Sequence, residues 1–223
     1  MLDSCLNNKV EKVISILSTC IYPELGPFPL CEDALHLGEP HPTTLGYSYS
    51  KRMLDIHSRA IRKQYGYSYK CLVPNNLYGI NDNFHISDSH VIPSIIRKIY
   101  EAKISDTQCT LLGDGTPIRE FTFSDDFAKI ILEFYKNPIY DIMNVGHGTK
   151  YQIKEVAQII CREMGYDYSR VLWSDNSSNE QQQKICNYER QSFYDVDLVT
   201  LDVGLKKTIE WFENNYPSIR GIQ

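Results

Sequence analysis

No two of the seven cysteines stand as a C-x-x-C pair, and their positions (5, 20, 31, 71, 109, 161 and 186) are scattered and odd in number. That spacing gives neither a zinc knuckle nor a disulfide framework, so no metal is expected. No stretch approaches the ~18 consecutive apolar residues of a membrane span. The opening "MLDSCLNNKVEKVISIL" carries an acid at Asp3 and too little apolar core for a signal peptide. These absences set the expectation of a reduced, cytoplasmic protein with no membrane partner. A basic footprint is lacking as well. The formal net charge is −5, which gives no reason to expect nucleic acid. Tryptophan is scarce, at 2 against 16 tyrosines; the excess of tyrosine favours polar-tipped pockets or simply reflects base composition, and the blander reading is preferred.

What is present is the composition of an ordinary globular protein, 42% hydrophobic and 23% charged. A length of 223 residues suits one large domain or two small ones. Periodicity predicts a short amphipathic helix over 3–12 and a buried strand over 13–17. Residues 22–45, rich in Pro, Gly, His and Glu, read as loop. A helix is expected over 47–65, with Met53, Leu54, Ile56, Ala60 and Ile61 at helical spacing and Gly66 as its stop. "YSYKCLVP" suits a strand ended by Pro74, and "SHVIPSIIRKIYEAK" a helix with Pro93 near its first turn. "CTLLGDGTPIREFTF" reads as strand, glycine turn and second strand. "SDDFAKIILEFYK" reads as a helix with Ser124 as cap and Asp125 and Asp126 in its first turn. "YDIMNVG" and "RVLW" are short strands, "QIKEVAQIICREMG" a helix closed by Gly165, and "LDVGLKKTIEWFENN" a terminal amphipathic helix. The polar run over 174–184 reads as mobile. Strands alternating with helices argue an α/β fold.

Chemistry first shows in "ILSTCIYPELG", residues 16–26, where an apolar run turns abruptly to Ser18, Thr19 and Cys20. Two hydroxyls and a thiol are an odd way to finish a buried strand. Further on, Tyr47 and Lys51 form Y-x-x-x-K, which on a helix puts phenol and ammonium on one face. A nearby cation favours the phenolate, starting from a pKa near ~10, and so makes a usable proton donor or acceptor. Chance supplies about one such pair in a chain with 16 tyrosines. The pair alone is weak. Its company is what adds weight: a strand ending in Ser18, then the Y-x-x-x-K helix, then a strand ending "VPNNLYG".

That order, with "STCIYP", "GYSYSKRM", "NLYGINDNFHISDSHVIP", "GDGTPIREF" and "MNVG" before "IKEVAQII", resembles the GDP-L-fucose synthase family of extended short-chain dehydrogenase/reductases, through essentially the whole chain. The resemblance implies the C-terminal part of a Rossmann-type parallel sheet plus a smaller α/β substrate-binding domain. It implies a partial NADP-binding domain over 1–90 and a mostly substrate domain over 91–223, with some segments returning to the sheet. It also implies a two-stage reaction on GDP-4-keto-6-deoxy-D-mannose: epimerisation at C3 and C5, then reduction of the C4 ketone by NADPH. Cys20 and His90 would be the epimerisation base and acid, with thiol and imidazole both adjustable around pH 7. Ser18 would steer the substrate carbonyl, Tyr47 would protonate the C4 oxygen, and Lys51 would hold the nicotinamide ribose. Ile16, Leu17, Ser18, Thr19, Pro74, Asn75, Asn76, Leu77 and His90 complete the implied cofactor contacts.

The sequence also departs from the family pattern. No glycine precedes Gly26, so the G-x-x-G-x-x-G that brings backbone to the cofactor pyrophosphate is not found. The pairs Gly113/Gly115 and Gly146/Gly148 lack the third glycine and read as turns. The expectation is a chain whose glycine-rich segment comes from an N-terminal fragment in an upstream reading frame, or a homodimer that covers the open edge. On the substrate side, Arg119 matches an arginine that grips the diphosphate. Lys98 stands for an arginine, Leu112 for an aromatic beside the GDP, and Asn179 for an acid. Of the Lys-Pro-Asp-Gly region only Lys184 remains. Two rival readings follow: a non-catalytic nucleotide-sugar-binding or regulatory remnant, and another sugar-nucleotide epimerase or dehydratase. A dehydratase is expected to carry an acid where Cys20 sits.

Overall fold

The structure, a computed structural model, describes residues 1–174 and 184–222. Most of the polar run read as mobile, and Asn179 with it, lies outside the described residues. The chain divides into two compact units. Unit 1 comprises Met1–Asn75, Asp126–Gly148 and Lys184–Asp197, and unit 2 comprises Asn76–Asp125, Thr149–Gln183 and Leu198–Gln223.

Unit 1 is built on a parallel sheet of β1 (Lys12–Ile16), β2 (Ser68–Pro74) and β6 (Ile142–Val145), in the order β1-β2-β6. Ile16 pairs with Leu72, and Val73 with Asn144. Strands of parallel sheets are covered on both faces, which is why the second half of β2 and all of β6 are buried. The crossover from β1 to β2 carries α2 (Leu45–Tyr65), which ends where expected, at a left-handed Gly66 with φ 72. Leu17, Ile21, Leu30, Leu35, Cys71 and Val73 form the main part of the core.

One expectation about this unit needs correction. The first helix, α1 (Leu2–Asn7), stops well short of residue 12. Lys9 turns left-handed at φ 56 so that the chain can enter β1. Of the apolar positions at helical spacing in α2, several lie outside: Met53 is 59% and Ile56 43% exposed. The buried face of α2 is instead Ser48, Arg52, Asp55, Ser58 and Ile61. Three of these polar residues, Ser48, Arg52 and Asp55, have local partners. The Arg52 guanidinium donates to the carbonyls of Ile21 and Gly38, both at 2.7 Å, and Asp55 accepts from His36 and Arg59 at 2.8 Å. Partnered in this way, buried polar groups become tolerable.

Unit 2 holds the sheet β3-β5-β7, where β3 (Asn76–Tyr78) runs parallel to β5 (Ile118–Phe123) and β7 (Lys150–Gln152) antiparallel to it. A separate parallel pair joins β4 (Cys109–Leu112) to β8 (Val171–Ser174). The strand–turn–strand reading of 109–123 therefore holds for its elements, but β4 and β5 do not pair with each other. The glycine turn sends them to different sheets. Helices α3 (Val91–Ile104), α5 (Ile153–Met164) and α6 (Leu201–Asn215) bury Ile96, Ile99, Ile160, Leu205 and Phe212 in one core. A capping box starts α5, with Gln152 N–H donating to Glu155 Oε2 at 2.6 Å. The helix α4 (Ser124–Lys136), in unit 1 from Asp126 onward, completes the set.

Candidate active site

The chain beyond β1 gives up its strand at Ile16 and turns through a short 3₁₀ segment, Thr19–Ile21. Ser18 caps that turn, its Oγ accepting from the Cys20 amide at 3.3 Å. Leu17 still donates to the Leu72 carbonyl at 2.7 Å, so the turn begins from a fixed point on the sheet. Cys20 is partly exposed, whereas Thr19 and Ile21 beside it are buried. The geometry thus presents the thiol and keeps its neighbours in the core.

Helix α2 ties itself to this turn from two positions about one helical turn apart. Ser48 Oγ donates to the Cys20 carbonyl at 2.8 Å. Lys51 Nζ donates to the Ile16 carbonyl at 2.8 Å and lies 5.8 Å from the ring centroid of Tyr47. The Tyr47 side chain is half exposed, at 50%. Ser18, Cys20, Tyr47 and Lys51 are therefore brought together by unit 1 itself. Lys51 spends one of its three ammonium donors on Ile16 and has two left for a ligand. Lys184 Nζ donates to Cys20 Sγ at 3.4 Å, a contact spanning 164 residues of sequence that no local pattern reveals.

The neighbouring strand ends in the same way. Asn75 N–H donates to the Val145 carbonyl at 3.0 Å and its Nδ2 to the Tyr188 hydroxyl at 3.1 Å. Gly146 is needed here, because a Cβ would run into the Tyr188 hydroxyl and the Asn75 amide. Behind the site, Asn144 on β6 is completely buried. Its Oδ1 accepts from the Tyr22 hydroxyl at 2.6 Å, and its Nδ2 donates to the carbonyls of Leu30 and Asn187 at 2.9 and 3.1 Å. Burial, with Cys186 and Glu32 nearby, pushes the Tyr22 phenol well above its usual range, so it stays a neutral donor. Asn144 drew no notice in the sequence, although an amide inside "IMNV" is the available signal: a wholly buried strand needs a reason for it.

The remaining expected residues lie in unit 2. Asn76 Nδ2 donates to the Glu120 carbonyl at 2.9 Å, and Leu77 pairs with Thr122. His90 is exposed and precedes α3 without making a side-chain cap. Asp82, which sequence reasoning passed over, is near enough for His90 to act on its carboxyl. Burial raises that carboxyl above the usual range, while the Asn83 amide and His90 oppose the rise. Lys98 borders a cleft of about 290 Å³ with Ile86, Glu101 and Thr110. Leu112 is 69% exposed, and Arg119 on β5 donates to the Ile118 carbonyl at 2.9 Å. Among the described residues no group of three or more His, Cys, Asp or Glu is placed to hold a metal ion. No helix among them is long and apolar enough to cross a membrane. Gly113 and Gly115 lie at bends after β4, whereas Gly146 and Gly148 lie in the irregular segment between β6 and β7.

A parallel sheet whose first strand leads into a turn capped by Ser18, followed by a Y-x-x-x-K helix bound to that strand's last carbonyl, defines a Rossmann-type nicotinamide-dependent oxidoreductase of the extended short-chain class. Residues 1–146 match the family model described as the NAD dependent epimerase/dehydratase family. A GDP-L-fucose synthase from Dictyostelium discoideum is 33% identical over 224 residues, covering 99% of this chain and 70% of the relative. The GDP-L-fucose synthase of Escherichia coli K12 is likewise 33% identical, over 96% of this chain and 70% of its own. A crystal structure of a GDP-L-fucose synthetase from Naegleria fowleri bound to NADP superposes with a TM-score of 0.91 at 28% identity, over 98% of this chain and 71% of that one. The chain belongs to the NAD dependent epimerase/dehydratase family and, within it, to the GDP-L-fucose synthases, which are NADP-dependent epimerase-reductases. It spans about 70% of the length of these relatives.

Proposed function

We propose that this chain works on GDP-4-keto-6-deoxy-D-mannose, epimerising it at C3 and C5 and reducing C4, to give GDP-L-fucose. The observation that carries the reading is the double tie of α2 to the turn after β1, through Ser48 to Cys20 and Lys51 to Ile16. It sets a thiol, a phenol and an ammonium around one sheet end. Unit 1 is the cofactor half and unit 2 the substrate half.

The C4 ketone acidifies the hydrogens on C3 and C5. Cys20, as thiolate, takes the proton from carbon, and the electron pair moves onto the ketone oxygen as an enolate. His90 returns a proton to the opposite face. In reduction, the Tyr47 hydroxyl gives its proton to the C4 oxygen, with Ser18 orienting that oxygen and Lys51 stabilising the phenolate left behind. NADPH supplies the hydride. The residues present suit its nicotinamide end: Lys51 has donors to spare for the ribose, and the segments 16–19 and 74–77, with His90, would border the ring. Arg119, Lys98, Leu112 and Asn179 would meet the nucleotide.

The reading extends to partners. A glycine-rich segment would cradle the pyrophosphate and pair with β1, which is an edge of its sheet among the described residues. Two copies would pair through the outer face of α2, where Tyr49, Met53 and Ile56 are exposed at i, i+4 and i+7. A cytoplasmic location accords with a cysteine spacing that gives no disulfide framework.

Solvent exchange tests the chemistry without requiring the hydride step. The chain is incubated with the keto-sugar nucleotide in D₂O, and deuterium at C3 and C5 is followed by mass spectrometry. Exchange is expected in the native chain and in Tyr47→Phe, and is expected to fall by about 10²-fold or more in Cys20→Ser. Exchange at the native rate in Cys20→Ser removes the assigned base. No exchange in the native chain, even with an added glycine-rich fragment, favours a non-catalytic binding protein.

A further inference from the structure

We propose that Lys184 is a positioning residue for epimerisation, holding the Cys20 sulfur in its anionic, proton-accepting form; this rests on the reading of Cys20 as the base. The Lys184 ammonium lies 3.4 Å from Cys20 Sγ, and that sulfur is its only polar partner among the described residues. No carboxylate among them pairs with it, so its charge is not already neutralised there.

The placement is built into the fold. The carbonyl of Ile185, the next residue, accepts from the Leu30 amide at 2.8 Å, and the Asn187 amide donates to the Leu30 carbonyl at 3.0 Å. Leu30 and Cys186 form a parallel bridge between those two bonds. Leu30 is 1% exposed, so Lys184 projects from a segment anchored on a core residue. From the other side, Ser48 fixes the Cys20 carbonyl and Ser18 its amide. Both halves of the pair are thus held by independent bonds. A thiolate is the form that accepts a proton, and an adjacent ammonium favours it. When Cys20 removes a proton from carbon, the sulfur becomes neutral and the new S–H bond replaces the C–H bond. Lys184 keeps its own proton throughout.

Cysteine alkylation tests the pair without any need for turnover. The native chain, Lys184→Gln and Lys184→Arg are treated with iodoacetamide at pH 7. The rate at Cys20 is read by peptide mapping relative to Cys5 in the same sample. An ammonium beside the sulfur favours the reactive thiolate electrostatically. Higher nucleophilicity of the more basic thiolate offsets part of that, so Lys184→Gln is expected to react about three- to fivefold more slowly. Lys184→Arg, which keeps the charge, is expected to recover most of the rate. An unchanged rate in Lys184→Gln overturns the inference, and so does an equal slowing in both variants, which points to displaced backbone rather than lost charge. If alkylation responds to Lys184 as expected while Cys20→Ser still exchanges deuterium normally, the pairing stands and the catalytic reading of Cys20 falls.

Discussion

Replacing Asn144 by leucine keeps the size of a buried side chain and removes three hydrogen bonds. Its consequences can be worked out partner by partner. The Leu30 carbonyl keeps its bond from the Asn187 amide, so its loss is small. The Asn187 carbonyl, at 3.1 Å, belongs to a partly exposed residue and can turn to water. The Tyr22 hydroxyl has no such recourse. Tyr22 is 3% exposed, and among the described residues its hydroxyl bonds to Asn144 alone, at 2.6 Å. An orphaned buried donor costs about 1–3 kcal/mol, and the weaker losses add to it, so Asn144→Leu should cost about 2–4 kcal/mol. Against the ~5–15 kcal/mol of a typical domain that is a large fraction. Tyr22→Phe leaves the Asn144 oxygen unpaired instead and should cost about 1–3 kcal/mol. Combining the two removes both partners at once, so the double variant should be less damaging than the sum by about 1–2 kcal/mol. Urea unfolding followed by tyrosine fluorescence measures all three. Strict additivity, or a cost below ~0.5 kcal/mol for Asn144→Leu, refutes the idea that this amide locks the loops around Cys20.

Replacing Met53 and Ile56 together by glutamate should shift the chain from dimer to monomer in light scattering and leave its thermal unfolding almost unmoved, because both side chains are exposed; unchanged mass removes α2 as the contact. Burial pushes the thiols of Cys71 and Cys161 up to about 12 and that of Cys109 up to about 11. Raised folded values mean a contribution fully present below the ordinary thiol range of ~8.5 and lost as pH rises from there towards those figures. Unfolding free energy should therefore decline steadily between pH 9 and 11, and a flat profile in urea titrations contradicts the burial argument. In the same range these three thiols should resist iodoacetamide until the chain unfolds.

Much of the secondary structure was legible, because periodicity and stop signals are local. Gly66 and Gly165 ended α2 and α5 where expected, at left-handed positions. The three-residue strands β3 and β7 escaped, since so short a run carries no period. The inner face of α2 was not legible, for a physical reason. Spacing tells which residues share a side, but not which side meets the sheet, and here polar groups with backbone partners won the inner place. Ser18, Cys20, Tyr47 and Lys51 were visible through motif order. Lys184 and Asn144 act through partners scattered over the chain, and a one-dimensional reading has no access to such contacts.

Unit 1 is threaded from three separate stretches, and this bears on how the chain is made. During synthesis β1, α2 and β2 emerge by residue 75, but β6 and Asn144 follow only after most of unit 2's sheet strands, and the 184–197 segment comes later still. At about 5–20 residues per second, the interval between residues 75 and 197 is roughly 6–25 s. Within it, β2 lacks its second neighbour and Tyr22 its acceptor until residue 145 is made, and the Cys20 thiol has no ammonium beside it until residue 184. A nascent chain in this condition is a natural client for chaperones that shield sheet edges. Slow codons before residue 126 would lengthen the exposure, and slow codons after residue 197 would leave it unchanged.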